Sequence, residues 1–445
     1  MAKIKIFVAL VPIWIVICIY YLQRLKTDKA PVPKPRRDPR KCPLSISNET
    51  ITPLDKHLLV SAYMDQRVTG LDLRIIGIFK RDSIQALYCL FCCKGHMSTT
   101  TNTTILQHSD NFGFPYVTTD VMCAIPKACS ATHVSLVREL GHWTDLKLTW
   151  LPIRNIRSIR AEERFNFTVC ISTLFGGYNN VLQFAQSLEM YRLLGVNRVV
   201  IYKNSCSPEL DRLLHGYSQE GFVEMVQWPI DQYLTPSKGW LFSESGGDVH
   251  YYGQQTTLNE CIYRSMDRSR YVLLNDIDEI VMPYQHSGLM PLMDTLLQQH
   301  PKAAVFLIEN RFFPKNHFEP SGKFKLTRWS RVPGVNILEH IYLEEPDRNV
   351  YHPHKMIIKP RMVEQTSVHE PLKHFGEQVK VPPNVAHLIH TRVGLREGTQ
   401  LTEDTRLWNF SEELIAGVDK ALRRAGLLGQ ADEPESHTVH PNDVV

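Results

Sequence analysis

Residues 167–205 of the chain are FTVCISTLFGGYNNVLQFAQSLEMYRLLGVNRVVIYKNS, and their pattern indicates the fold class. The first nine residues are an apolar run that is typical of a buried strand, and NRVVIYKNS is a second run of that kind. Between them, apolar residues from Val181 to Tyr191 recur at helical spacing, and Gly195 ends the helix. A strand, a helix and a strand joined by short loops indicate a βαβ unit of a parallel sheet.

The same alternation continues towards the middle of the chain. A second helix is predicted to begin at Ser207 and to end at Gly221, and a third strand, FVEMVQWP, follows it. A further helix, from about Gln254 to Asp267, precedes a fourth strand, YVLLNDIDE, at residues 271–279. We therefore predict that residues 166–425 form an α/β domain whose mostly parallel sheet is flanked by helices.

Three carboxylates in four positions, Asp276, Asp278 and Glu279, end the fourth predicted strand. In parallel α/β sheets, ligands bind beyond the carboxyl ends of the strands, where this stretch would lie. Carboxylates at i and i+2 of an extended segment point the same way, and a bound divalent cation relieves their repulsion. Such a cation would also bind a diphosphate and neutralise it as a leaving group. The structural alternative is that Asp276 caps a turn and that Glu279 pairs with an arginine.

The first residues of the chain predict a membrane anchor. Residues 6–22, IFVALVPIWIVICIYYL, carry no charge and are at the short end for a membrane-spanning helix. A cleaved signal peptide is the alternative, but no clean small-x-small cleavage site follows the apolar run. We expect residues 1–5 to be a cytosolic tail and the proline-rich, basic residues 23–41 to be an extended stalk. The short span suits the thinner membranes of the early secretory route.

Two signals disagree about which side of the membrane holds the main body. More lysines and arginines follow the span than precede it, which favours a cytosolic body. Four N-x-Ser/Thr sequons, and cysteines that would form disulfides in an oxidising lumen, favour the opposite orientation. We expect a single-pass type II protein of the Golgi membrane whose main body is lumenal. The candidate glycosylation sites are Asn48, Asn102, Asn166 and Asn409.

Residues 42–165 have a different pattern from the residues that follow them. Short strand-like runs and loops rich in Ser, Thr and Asn predict a small β-rich lumenal domain with disulfides. Zinc binding by the cysteines is the alternative, but no His pair completes a zinc pattern. Nine of the ten cysteines follow the predicted span, so at least one is expected to be unpaired or to bridge two chains. We find no chemical constellation in these residues, and we expect residues 426–445 to be a C-terminal tail.

The charge of the chain argues against nucleic acid as a partner. The formal net charge is only +4, and the densest basic run lies near the N-terminus, outside the predicted domains. No block of lysine and arginine in the main body forms the basic patch that such binding requires. The charge therefore gives no reason to expect nucleic acid as a partner, and the anchor predicts a membrane.

Six separated blocks of the chain carry a resemblance to a known family. They are CISTLFG (170–176), EMYRLLGVNRVVIYKNS (189–205), YYGQQTTLNEC (251–261), LLNDIDEIVMP (273–283), KMIIKPRMVEQTSVHEP (355–371) and HLIHTR (387–392). Together, and in this order, they resemble glycosyltransferase family 92. The resemblance extends over roughly residues 167–392, about half of the chain, and it is far more specific than the DID triplet alone.

The resemblance implies a GT-A fold, an inverting transfer, a nucleotide-sugar donor and a divalent metal, commonly Mn²⁺. Known activities in the family attach β-linked galactose, so UDP-galactose is the implied donor. The chain is similar to the vertebrate members that add galactose to the terminal galactose of N-glycans. The implied function is therefore metal-dependent transfer of galactose from UDP-galactose to a glycan acceptor.

The resemblance also implies roles for single residues. Asp276 and Asp278 match the DxD motif of the family, and Glu279 matches the acidic residue that follows it. A late histidine often supplies a further metal ligand in GT-A enzymes, and the candidates are His369 and His390. The candidate donor-binding residues are Ser172, Leu174, Asp276, Lys355 and Lys359. Each of the two histidines has a structural role as its alternative, and each of the two lysines is otherwise an ordinary surface lysine.

An inverting transfer needs a base that takes the proton of the acceptor hydroxyl. The candidates in the sequence are Glu309, Glu279 and Asp248. Glu309 ranks first because it follows the apolar run AAVFLI and would lie at another strand end. Its alternative role is to cap the next loop, and the family pattern does not choose between the three.

Two other functions compete with the transferase. The first is a non-catalytic Golgi lectin that keeps the fold and binds glycans, but an intact DID favours the enzyme. The second is a metal-dependent hydrolase of phosphate esters, which would need further His and Asp ligands for a second metal. Release of UDP, assayed with and without an acceptor, separates all three.

Overall fold

The computed structural model describes residues 41–42, 49–140, 148–156, 164–349, 351–392 and 400–429. The predicted cytosolic tail (1–5), the span (6–22) and the stalk up to residue 40 lie outside these ranges, as do Asn48 and residues 430–445. Within the described ranges, no helix has the length and the apolar composition that crossing a membrane requires. The anchor therefore stays a prediction from the sequence.

An antiparallel sheet of nine strands forms the N-terminal part of the described chain. Its strands are β1 (Thr52–Leu54), β2 (His57–Met64), β3 (Leu73–Lys80), β4 (Tyr88–Cys93), β5 (His96–Met97), β6 (Thr101–Gln107), β7 (Tyr116–Cys123), β8 (Ala131–Val137) and β9 (Leu151–Pro152). They lie in the order β1-β2-β3-β7-β6-β4-β8-β9, and β5 pairs with β4. The sequence therefore predicted the β-rich character of this region correctly.

Disulfides are present, as the sequence predicted, and three of them include a cysteine of strand β4 of this sheet. The pairs are Cys42–Cys92, Cys89–Cys123, Cys93–Cys129 and, in the C-terminal part, Cys170–Cys261. Among the described residues, Cys206 is the cysteine that keeps a free thiol. Because each disulfide restricts the unfolded chain, the small sheet is stable with a modest apolar core.

The C-terminal part of the described chain contains both helices and strands. Its helices are α1 (Val181–Leu193), α2 (Pro208–Gln219), α3 (Phe242–Ser245), α4 (Gln254–Ser265), α5 (Leu289–Gln299) and α6 (Ser411–Arg424). Its strands are β10 (Phe165–Leu174), β11 (Arg198–Lys203), β12 (Val223–Gln227), β13 (Ser269–Asn275), β14 (Glu279–Pro283), β15 (Ala303–Pro314), β16 (Tyr342–Glu344), β17 (His354–Ile358), β18 (Val363–Thr366), β19 (Pro371–His374), β20 (Glu377–Lys380), β21 (Ala386–Arg392) and β22 (Leu401–Glu403).

The central sheet of this part is mixed, with the strand order β12-β11-β10-β13-β17-β15-β21-β14. The four strands β12, β11, β10 and β13 are parallel, as the βαβ pattern predicted. The prediction of a mostly parallel sheet is wrong beyond these four strands. Strand β17 runs antiparallel to both β13 and β15, and β14 runs antiparallel to β21. Across the described chain, antiparallel pairings predominate. Periodicity identifies a strand but not the direction of its partner, so the sequence did not reveal this.

The two sheets share one of the hydrophobic clusters of the protein. Strand β3 is buried on both faces, and its side chains alternate between two clusters. Ile76 and Ile78 pack with Leu258 and Ile262 of α4, whereas Ile75 points towards the interior of the N-terminal sheet. Burial of such side chains stabilises each by about 1.5–3 kcal/mol. The N-terminal sheet is therefore packed against α4 rather than tethered to it.

Buried charges also join the N-terminal sheet to β18, which pairs with β19 in a separate two-stranded sheet of the C-terminal part. Arg74 of β3 is fully buried, and its guanidinium lies 2.9 Å from Asp65 and 2.7 Å from Glu364 of β18. A third carboxylate, Asp120 of β7, pairs with the same guanidinium. Removing one partner from such a network leaves a buried charge uncompensated. The network therefore fixes where β18 lies relative to the N-terminal sheet.

Candidate functional site

A cavity of about 520 Å³ lies beyond the carboxyl ends of β10 and β13. This is where ligands bind in α/β sheets, and it is where the sequence placed the three carboxylates. Its lining residues are Ile171, Ser172, Thr173, Leu174, Phe175, Tyr178, Trp240, Tyr251, Gln254, Asp276, Ile277, Asp278, Glu279, Asn310, Phe312, Pro353, Val368, His369, His390 and Arg392.

Asp276 and Asp278 lie in the tight turn between β13 and β14, and Glu279 is the first residue of β14. Asn275 is buried at the end of β13, and its side-chain amide donates a hydrogen bond of 2.8 Å to the backbone carbonyl of Glu279. The hydroxyl of Tyr191 donates to the same carbonyl at 2.7 Å. These two bonds brace the turn, so that Asp276 and Asp278 line the cavity.

Asp276 is held by two side chains from other elements. The ammonium of Lys355, at the start of β17, lies 2.6 Å from one carboxylate oxygen, and the amide of Gln254 donates to the other at 3.0 Å. Lys355 itself is only 2% exposed. Burial alone would raise the pKa of Asp276, but the charge of Lys355 outweighs burial and holds that pKa below its usual value.

Glu279 is the most deeply buried of the three carboxylates. One oxygen accepts the backbone N–H of Asp276 at 3.1 Å, and the other accepts the side-chain amide of Asn310 at 3.0 Å. The side chain is 1% exposed, and the ammonium of Lys355 lies 3.5 Å away. Burial raises the pKa of Glu279 to about 7, although Lys355 works in the opposite direction.

Asp278 is more open to the cavity, and it faces a histidine. Its side chain is 29% exposed, and the nearest charged partner is Nε2 of His390, at 3.5 Å. His390 lies directly opposite Glu279 in the antiparallel pairing of β14 with β21. Burial would lower the pKa of His390, but the carboxylate of Asp278 outweighs burial and raises that pKa.

His369, the other predicted histidine, also lines the cavity. Its Nδ1 bonds to the backbone carbonyl of His354 at 3.1 Å, and its ring stacks on Trp240 with centroids 5.4 Å apart. Because Nδ1–H donates to that carbonyl, the neutral ring keeps Nε2 as its acceptor. Burial, together with the charge of Lys355, lowers the pKa of His369 to about 4.

The side chains in this cavity fit a divalent cation in kind, since carboxylates and imidazoles are its usual ligands. They are not gathered around one point. Among the residues that the structure describes, no three His, Cys, Asp or Glu side chains are arranged to hold one ion. Lys355 contributes to this, because its ammonium already pairs with one oxygen of Asp276. Binding of a cation would therefore require this ion pair to share or yield that oxygen.

Four of the five predicted donor-binding residues are at or beside the cavity. Ser172, Leu174 and Asp276 line it, and Lys355 pairs with Asp276 instead of standing free. The prediction for Lys359 is wrong. Strand β17 is antiparallel to β13, with Ile358 opposite Val272, so Lys359 lies beside the start of β13 and away from the carboxylates.

Two of the three candidate bases lie outside the cavity. Glu309 is not at a strand end, because β15 continues to Pro314, and strand alternation turns its neighbour Asn310 to the cavity instead. Glu309 pairs with Arg311 at 2.7 Å and with Arg348 at 2.8 Å. Burial would raise the pKa of Glu309, but the two arginines outweigh burial and lower that pKa.

Asp248 is the second candidate base that lies outside the cavity, and its carboxylate accepts a hydrogen bond from the backbone. It accepts the N–H of Thr235 at 2.7 Å, and the Asp248 backbone carbonyl accepts the N–H of Tyr116. These bonds fasten the 235–249 segment to the N-terminal sheet. Of the three candidates, Glu279 is the one that lines the cavity.

Several lining residues were not predicted from the sequence. Gln254 lies in the block YYGQQTTLNEC, where its position as the first residue of α4 was the available signal. Tyr251 and Tyr252 have positive φ angles of 34° and 56°, a strained conformation that the sequence does not announce. Arg392, whose guanidinium lies 3.5 Å from the ring centre of Phe312, ends the predicted block HLIHTR.

The chain was compared with known proteins, and a family model matches it over most of the C-terminal part. The model is that of glycosyltransferase family 92, and it matches residues 165–424. This is more than half of the 445 residues. The match includes every residue described above as lining the cavity.

Two curated relatives from Caenorhabditis elegans are similar to part of the chain. One, named beta-1,4-galactosyltransferase galt-1, is 24% identical over 240 residues, which are 52% of this chain and 52% of the relative. The other, named glycosyltransferase family 92 protein F13G3.3, is 24% identical over 231 residues, which are 50% of this chain and 42% of the relative. The chain thus spans about half the length of the curated relatives it matches.

Solved structures give a weaker likeness. The S. aureus protein TarS (1–349), solved in complex with UDP-GlcNAc, is 15% identical over 52% of this chain and 60% of its own, with a TM-score of 0.28. A TM-score this low is not evidence of a shared fold, so the assignment rests on the family match. Since that match covers more than half of the sequence, the chain belongs to glycosyltransferase family 92.

Proposed function

We propose that this chain is a metal-dependent, inverting galactosyltransferase that moves galactose from UDP-galactose to a glycan acceptor, the terminal β-galactose of N-glycans. The observation that carries the proposal is the group of Asp276, Asp278 and Glu279 on one cavity wall, at the strand ends where α/β sheets bind ligands. The family match supports sugar transfer, and the name of the C. elegans relative supports galactose.

The proposed metal is Mn²⁺, held by Asp276 and Asp278 with His390, whose Nε2 lies 3.5 Å from Asp278, as a further ligand. When bound, such a cation would neutralise the negative charge that develops on a diphosphate leaving group. Gln254 and Lys355 already orient the Asp276 carboxylate, through bonds of 3.0 Å and 2.6 Å. Because these side chains already restrict Asp276, the carboxylate loses less conformational freedom when a ligand binds.

We place the donor beside the ends of β10 and β13. Ser172 and Leu174 line the cavity at the end of β10, and Ser172 lies next to Gln254, whose amide donates to its hydroxyl at 3.1 Å. A GT-A fold would hold the nucleoside of the donor at this strand end. The mixed sheet described above, with four parallel strands leading to the cavity, is compatible with that fold.

Glu279 is the proposed base. In an inverting transfer the acceptor oxygen attacks the anomeric carbon as the bond to the diphosphate breaks, and the acceptor proton passes to the base. Glu279 lines the cavity, whereas Glu309 and Asp248 are engaged elsewhere by arginines and by backbone N–H groups. The proposal of Glu279 as the base therefore rests on its position in the cavity wall.

Glu279→Gln is expected to reduce kcat by about 100- to 10,000-fold, the usual contribution of a general base. Glu309→Gln is the matched control, and it should change kcat by less than about threefold because its side chain does not face the cavity. Initial rates and thermal unfolding of both variants test this. Equal rate losses in the two variants would contradict the role of Glu279.

The experiment that tests the proposed function is a screen of secreted protein, residues after Lys26, against several UDP-sugars and acceptor glycans with Mn²⁺. UDP release that depends on an acceptor is the expected result, with UDP-galactose as the best donor. Release of UDP without an acceptor would mean a hydrolase. No turnover with any pair would favour a lectin that binds glycans without reacting.

We also propose that the catalytic part is lumenal, in a Golgi membrane protein of type II. The disulfides support an oxidising compartment. Asn102, Asn166 and Asn409 are exposed, as glycan acceptors must be. Endoglycosidase treatment is expected to increase the gel mobility of the protein made in animal cells. An unchanged mobility, with no glycan on these three residues or on Asn48, would contradict the proposed lumenal orientation.

A further inference from the structure

The loop between β6 and β7, residues 108–115, extends from the N-terminal sheet to the cavity wall. It lies outside the family match, which begins at residue 165. Its side chains contact two separate segments that line the cavity, one around Trp240 and one around His369. The N-terminal sheet therefore touches the site that the C-terminal part builds.

Phe112 makes the first of these contacts. Its backbone has a φ of 52°, in the left-handed region that costs a residue with a side chain about 1–2 kcal/mol. The ring stacks on His250 with centroids 4.0 Å apart and meets Trp240 edge-on at 4.9 Å. Such a conformation persists only where the surroundings hold it. Here the aromatic contacts hold it, so the loop and the Trp240 segment define each other's position.

The backbone of the loop strengthens this contact. The carbonyl of Phe112 accepts the N–H of Phe242 at 3.2 Å, two residues beyond Trp240. The ring of Phe114 packs edge-on against Phe242 and His250, each at 5.7 Å. The segment from Trp240 to His250 is therefore clasped from its outer side by Phe112 and Phe114.

Asp110 makes the second contact. Its carboxylate accepts a hydrogen bond from the hydroxyl of Ser367, which is 2% exposed. Val368 and His369, the next two residues, line the cavity. A hydrogen bond to a charged group contributes about 1.5–3 kcal/mol, which is enough to hold this short segment in place.

The two clasped segments meet inside the cavity, where His369 stacks on Trp240 at an angle of 21°. Trp240 and His369 both line the cavity, and together they form an aromatic wall. An aromatic wall with polar ring edges suits a sugar, which presents an apolar C–H face and a rim of hydroxyls. The wall is therefore fitted to the substrate that approaches the donor from this side.

We propose that the 108–115 loop is a positioning element of the active site, in which Phe112 and Asp110 set the Trp240–His369 wall that receives the acceptor sugar. The inference rests on the proposed transferase activity. It assigns to the N-terminal sheet a role in acceptor recognition, beyond joining the catalytic part to the membrane.

The test compares Phe112→Leu with Phe79→Leu, a buried phenylalanine of the same sheet whose ring stacks on His57 and not on the wall. Phe112→Leu is expected to lower kcat/KM for the acceptor by about 10- to 100-fold, since small misplacements of positioning groups have effects of this size. UDP affinity, measured by calorimetry, should change by less than about twofold. Phe112→Tyr keeps the ring and should retain most of the activity.

A double-mutant cycle shows whether the loop acts through Trp240. In a Trp240→Leu background, Phe112→Leu should lower kcat/KM by less than about twofold further, because the contact is already absent. The proposal would be overturned if the decreases in kcat/KM caused by Phe112→Leu and Trp240→Leu multiplied fully in the double variant. It would also be overturned if Phe112→Leu lowered kcat/KM no more than Phe79→Leu does.

A second pair of variants keeps the test valid if Phe112→Leu does not fold. Asp110→Asn weakens the bond to Ser367, and the matched control is Asp82→Asn, whose carboxylate bonds only to its neighbour Ser83 at 3.0 Å. Asp110→Asn should lower kcat/KM for the acceptor by about tenfold and Asp82→Asn should not. Equal activity of these two variants would overturn the proposal. Absence of transfer by the unmodified chain would instead overturn the proposed function.

Discussion

Asp278→Ala is expected to reduce sugar transfer by about 100- to 1,000-fold and to leave the protein folded, whereas Asp276→Ala should lose both transfer and stability. The Asp278 side chain is 29% exposed, and its nearest charged partner is His390 at 3.5 Å, so its removal leaves no buried charge unpaired. The lost activity would follow from the loss of a carboxylate that we propose as a ligand of the metal.

Asp276 differs because Lys355 depends on it. Without this carboxylate the ammonium, which is 2% exposed, would keep only Glu279, at 3.5 Å. Breaking a buried ion pair costs about 3–5 kcal/mol. We expect a loss near 3 kcal/mol in the free energy of unfolding, the low end of this range, since Asp276 is itself 32% exposed and Glu279 remains.

The double variant Asp276→Ala/Lys355→Met separates the two effects. It removes the ammonium together with its partner, so the thermal midpoint should recover most of the loss while transfer stays abolished. Thermal unfolding and acceptor-dependent UDP release measure the two properties on the same preparations. Equal destabilisation by Asp278→Ala and Asp276→Ala would contradict the buried-pair argument. Full activity of Asp278→Ala would contradict its proposed role in catalysis.

UDP is expected to bind about 5- to 150-fold more tightly with Mn²⁺ than in EDTA. If the cation bridges the carboxylates and the diphosphate, each ligand must raise the affinity of the other by the same factor. Calorimetric titration of UDP with and without Mn²⁺, and of Mn²⁺ with and without UDP, measures both sides of this linkage. Equal UDP affinity in the two conditions, in folded protein, would mean that these carboxylates are not the diphosphate site.

Asp278→Asn should reduce this coupling, because a neutral amide is a poorer ligand for a hard cation than a carboxylate. Asp248→Asn is the matched control, since its carboxylate accepts the N–H of Thr235 outside the cavity. The control should keep the coupling of the unmodified chain. A coupling that falls equally in both variants would point to a change in the fold and not to a lost ligand.

Local patterns predicted the parallel strands, the helices between them and the carboxylates at the end of β13. They succeeded because strand and helix periodicities, and the end of an apolar run, are properties of neighbouring residues. The predictions for Lys359 and Glu309 failed because local patterns do not show how distant segments pair. Their roles depended on the direction of β17 and on the face of β15 that meets the cavity, which are set by partners far along the chain.

By itself, the sequence determined the family, the βαβ core, the presence of disulfides and the position of Asp276, Asp278 and Glu279 at a strand end. Only the tertiary structure decided that Lys355 pairs with Asp276, that Asn310 and not Glu309 lines the cavity and bonds to Glu279, and that Asp110 of the 108–115 loop bonds to Ser367, beside the cavity wall. These contacts join residues 79, 31 and 257 positions apart. The physical reason is that backbone preference acts over a few residues, whereas burial and charge pairing act between side chains that only the packed fold brings together.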